Sequence, residues 1–144
     1  MTSDDADPPG PLSPPAAVSA LTVLAAMHAV ISLLRGLSNA DWILLSMVME
    51  RWPVTFLLGL LTPAVPLLYF AAFVTLTSES SCARALTGSA VAAALAETAI
   101  LGSFGWVGTM GAVLGTAMLA LTALELMLLL HPATTRWARS TKPG

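Results

Sequence analysis

Long uncharged runs alternate with short polar breaks along the chain. No Asp, Glu, Lys or Arg occurs from Leu12 to Leu34, and 16–34 meets the roughly 20 residues that a helix needs to cross hydrocarbon. Pro14 and Pro15 stand at its start, where the first helical amides lack partners anyway. Arg35-Gly36 closes it with a cation able to reach headgroups and a residue suited to a helix C-cap. A second uncharged run, 54–77, contains Gly59, Pro63 and Pro66; a third apolar run, 84–104, is rich in alanine and is interrupted by Glu97; a fourth, 108–130, is interrupted by Glu125. Between the first two runs, Asp41 follows the capping candidates Ser38 and Asn39, and Trp42 and Trp52 flank an apolar stretch that stops at Pro53. That pattern predicts a short interfacial helix over 40–52, too short to span. The fold expected is all-α: an integral membrane four-helix bundle with this interfacial helix between the first and second spans.

Composition supports lipid as the solvent. The 144 residues are 56% hydrophobic and 10% charged, with a mean hydropathy of +0.82; a soluble domain carries about 25% charged residues. A net charge of −2 argues neither for nucleic acid nor for a strongly basic membrane-surface module, and no nucleic-acid partner is expected. One cysteine, Cys82, excludes an internal disulfide and a cysteine-built metal cage. Residues 1–15 read as an acidic, proline-rich disordered tail, 16–131 as the four-span membrane domain and 132–144 as a basic cytoplasmic tail. Basic residues are more numerous on the side of Arg84, Arg136, Arg139 and Lys142 than on the side of Arg35 and Arg51. That bias predicts a multi-pass protein with both termini in the cytoplasm.

Helical spacing sorts the few polar and small residues onto one stripe per span. The stripes are Ala25, His28, Ser32 and Arg35; Thr55, Gly59, Thr62, Pro66 and Tyr69; Ala90, Ala93 and Glu97; and Gly111, Gly115, Met118, Thr122 and Glu125. Turned inward, these stripes would form the seams of a bundle. Gly108, Gly111, Gly115 and Ala93 read as helix-packing positions that let backbones approach closely. Pro63 and Pro66 each remove an amide, freeing the carbonyls of Gly59 and Thr62 at mid-depth, where transporters and channels bind ions.

The ionisable residues carry the functional expectation. Measured from the inner helix ends, His28 lies about 12 residues in and Glu97 about 13, so at ~1.5 Å per residue both sit roughly 18–20 Å deep. An acid at that depth costs about 2.5–3.5 kcal/mol unless paired or neutralised. A His28–Glu97 hydrogen bond across the bundle would resolve that cost and could share a proton. Glu125, about five residues or ~8 Å from the inner end of its helix, is expected to reach headgroups, water or the basic tail. Arg35 is expected to anchor at headgroups, and His131 to meet the carbonyls that end the last span.

The residues expected along a proton relay or an ion or solute pathway are His28, Ser32, Thr62, Pro63, Pro66, Tyr69, Glu97, Thr122 and Glu125. No metal site, cofactor or catalytic residue is expected. The leading reading is a small transporter- or channel-like protein handling protons, an ion or a small solute. The alternatives are a non-catalytic accessory or assembly subunit of a larger membrane complex, then a membrane-embedded enzyme. Expected partners are the bilayer and either further copies of the chain or other membrane subunits.

Overall fold

The computed structural model of the chain describes residues 14–38, 52–78, 82–103 and 108–140. Four long helices, α1 (Ala16–Ser38), α2 (Trp52–Thr77), α3 (Ala83–Ser103) and α4 (Gly108–Leu130), are followed by a short one, α5 (Pro132–Ser140). Each of the first four is long and apolar enough to cross a membrane. The expected interfacial helix lies almost wholly outside the described residues, as does the acidic N-terminal tail. α1 runs past Arg35 and Gly36 to Ser38, so Gly36 is not the cap that the sequence suggested. Its use is different: a Cβ built on Gly36 would stand 3.0 Å from Thr62 Cγ2, so the missing side chain lets α1 and α2 close on each other.

Short connections make α2, α3 and α4 run antiparallel in turn. The long helices form a ring, with α1 beside α2, α2 beside α3, α3 beside α4 and α4 beside α1. Each buries a row spaced alternately three and four residues apart. The rows are Val18, Leu21, Ala25, His28 and Ser32 on α1; Ala83, Thr87, Ala90, Ala94 and Glu97 on α3; and Gly115, Met118, Thr122, Glu125 and Leu129 on α4. A 3.5-residue repeat keeps one stripe facing its neighbours, which is the packing rule of bundles. Large apolar side chains such as Val23, Val30, Leu67, Phe70 and Met127 face outward instead.

Two stretches depart from the sequence reading. On α2 the buried row is Leu58, Val65, Tyr69, Ala72 and Leu76; Pro66 is also buried, but Gly59 and Thr62 are half-buried and Pro63 is exposed. The helix has simply turned its bulkier apolar residues to the core. Residues 132–140, read as part of a tail, form α5. His131 Nδ1 accepts from the Ala133 amide at 3.2 Å, and Pro132 occupies the first turn, where its lost amide costs nothing. His131 therefore caps the start of α5 with its ring, in place of the expected contact with the last carbonyls of α4. Thr134 donates to the Leu128 carbonyl at 2.8 Å, Trp137 is buried, and Arg136 and Arg139 point to the exposed side. α5 packs on both α4 and α1.

Candidate functional site

Glu125 is fully buried, on the inner row of α4. Tyr69 of α2 donates its hydroxyl proton to Glu125 Oε2 at 2.5 Å. His28 Nδ1 of α1 lies 3.1 Å from Oε1 and 3.2 Å from Oε2 of the same carboxylate. The imidazole and phenol rings stack, with centroids 3.9 Å apart and planes 14° from parallel. Three helices thus hand one side chain each to a single cluster, and none of the three is accessible to solvent. The Tyr69–Glu125 distance lies at the short end of the range for an O–H···O hydrogen bond.

A second cluster stands on the same α1 row. Arg35 forms an ion pair with Glu97 of α3, both side chains being nearly buried. These two clusters cross both diagonals of the ring, Tyr69–Glu125 from α2 to α4 and Arg35–Glu97 from α1 to α3.

The expected His28–Glu97 bond is absent, and the reason is geometric. Depths counted from helix ends assume that the ends are flush. By count along the helices, His28 is about 18 Å from the start of α1, yet its partner Glu125 is only ~8 Å from the end of α4. Arg35 is ~29 Å from the start of α1 and Glu97 ~21 Å from the start of α3. The two pairs give similar offsets, about 10 Å against α4 and about 8 Å against α3, so α1 begins roughly one and a half to two turns beyond both. Trp137 of α5 belongs to the same apolar cluster as Val18 and Leu21, so α5 packs where those extra turns project. The offset brings Glu125 level with His28, where it is buried against His28 and Tyr69, and lifts Glu97 to Arg35, with which it forms an ion pair.

No protein family, no curated protein and no solved structure matches this chain.

The other expected site residues divide into two groups. Ser32 is buried between the two clusters on α1, and Thr122 is buried one turn before Glu125, its hydroxyl donating back to the Met118 carbonyl at 2.8 Å. Thr62, Pro63 and Pro66 are elsewhere. They line an outward-facing apolar groove of about 550 Å³ between α1 and α2, with Val30, Leu33 and Phe70 opposite and beside them. Thr62 stands two turns from Tyr69, ~10 Å along α2. Of the packing positions, Gly115 is buried and Ala93 half-buried; Gly108 opens α4, and the surroundings of Gly108 and Gly111 lie outside the described side chains. Arg35 is the partner of Glu97 that the sequence reading missed. The signal was present, because Arg35 continues the three-four spacing of Ala25, His28 and Ser32.

Proposed function

We propose that this chain is a multi-pass, channel- or transporter-like membrane protein that handles protons at the His28–Glu125–Tyr69 cluster. The observation that carries the reading is a fully buried carboxylate bonded to both an imidazole and a phenol. Ionisable side chains inside membrane spans are costly, and they concentrate where protons and ions pass. This cluster has the groups that a relay needs. A proton on the Glu125 carboxyl transfers to His28 Nδ1, leaving a carboxylate that the Tyr69 O–H stabilises and an imidazolium with both nitrogens protonated. The imidazolium then releases the proton on Nε2, so the charge enters at one edge of the ring and leaves at the other. The Arg35–Glu97 pair, about two turns further along α1, supplies a second charged station on the same seam.

The test is proton flux into proteoliposomes under an imposed pH gradient, read with an internal pH-sensitive dye. Glu125→Gln and His28→Ala are expected to cut flux about tenfold or more, since each removes a positioned proton-transfer group. Helical content and melting of each variant establish that it is folded. Flux equal to the parent in both folded variants would refute the reading.

A further inference from the structure

Hydroxyls on these helices have a habit that Ser32 breaks. Thr22, Thr62, Thr75, Thr87, Ser89 and Thr122 each donate to the carbonyl four residues back in their own helix. Ser32 Oγ is buried and has no hydrogen-bond partner among the described residues. His28 Nε2, the ring nitrogen turned away from Glu125's bond, is buried and also without a partner among them. The two residues are four apart on α1, neighbours on one helix face, and both belong to the inward row. The large majority of polar atoms enclosed in this way are satisfied, by protein or by ordered water.

We propose that His28 Nε2 and Ser32 Oγ form a binding slot for one water molecule, placed between the Glu125 and Glu97 clusters. The donor and acceptor properties fit that ligand. A hydroxyl can give or take a hydrogen bond, neutral imidazole takes one at an unprotonated Nε2, and the protonated ring gives one. A single water reaches both groups by accepting from Ser32 and donating to Nε2, or by the reverse when the ring carries the extra proton. A slot of this chemistry would also take the hydroxyl of a small alcohol, whereas an apolar solute would leave both atoms unpaired. The inference rests on the proton-handling reading for its purpose: the slot is where the Nε2 proton goes. In that step the N–H bond of the imidazolium breaks as an O–H bond forms on the slot water, which takes up the proton and its positive charge as hydronium.

The experiment is solid-state NMR on the full chain in lipid bilayers, labelled with ¹⁵N-histidine and purified through a tag that contains no histidine. The chain has two histidines, so exposed His131 serves as the internal control. A cross-peak from water to His28 Nε2 is expected, lost in Ser32→Ala while the His131 signals stay in place. Adding ethanol at increasing concentration should leave the water cross-peak in place if water is the resident ligand; its replacement by an ethanol cross-peak would assign the slot to a hydroxylic solute and overturn the assignment to water. Absence of any water contact at Nε2 in the parent protein would overturn the slot outright, as would an unchanged cross-peak in Ser32→Ala. The result separates from the flux assay. Flux that depends on His28 with no water contact removes the slot and leaves the proton reading standing; a water contact with flux indifferent to His28 does the opposite.

Discussion

At the residue scale, the Arg35–Glu97 pair is the sharpest case of mutual dependence. Both side chains are nearly buried, so removing one strands the other's charge away from water. Glu97→Leu and Arg35→Leu are each expected to lower stability by about 3–5 kcal/mol, and the double variant by less than either, because two apolar side chains leave no stranded charge. Unfolding in detergent, followed by circular dichroism, measures all three. A double variant that loses the sum of the single losses would mean that the two residues act independently. The Glu125 cluster is held by partners from two other helices. Tyr69 contributes a hydrogen bond and a stacked ring, so its inward position serves both the carboxylate and His28.

At the element scale, α5 shows how nine residues settle onto the bundle. Its polar face carries Arg136 and Arg139, and its apolar face buries Trp137. Truncating a buried Trp to Ala costs about 3–5 kcal/mol, more than a helix of this length recovers from its own hydrogen bonds. Trp137→Ala is therefore expected to release α5 while leaving α1 to α4 in place. Limited trypsin digestion reads this directly: cleavage after Arg136 and Arg139 should speed up by about tenfold or more, as local opening becomes cheaper, with the main melting transition retained. Unchanged cleavage would show that Trp137 is not what docks the helix. The close approach of α1 and α2 at Gly36 belongs to this scale as well. There Thr62's hydroxyl is tied to the Leu58 carbonyl at 2.8 Å, which fixes the methyl that Gly36 accommodates.

For the whole molecule, the ring of antiparallel helices places the α2–α3 turn at the same end as the start of α1 and as α5. Cys82, the chain's one cysteine, is exposed at that turn. Ser103, exposed at the far end of α3, marks the other side. In right-side-out and inside-out vesicles, a membrane-impermeant maleimide is expected to label Cys82 from the cytoplasmic side. In a Cys82→Ser background, Ser103→Cys should label from the opposite side only. Labelling of both positions from one side would contradict a bundle that spans the bilayer.

The existence of four apolar helices followed from the sequence alone, because the length and polarity of a run decide whether it can sit in lipid. The inward stripe of three of the four helices was legible too, since the scarce polar residues fall at helical spacing and burying them separates them from the acyl chains. Pairing was not legible. Which acid meets His28 depends on how far one helix slides along its neighbour, and a one-dimensional count from helix ends contains no such quantity. The rotation of α2, the docking of α5 and the advance of α1 all arise from side chains filling space between helices. Packing between elements, and not the character of any one of them, gave Glu125 to His28 and Glu97 to Arg35.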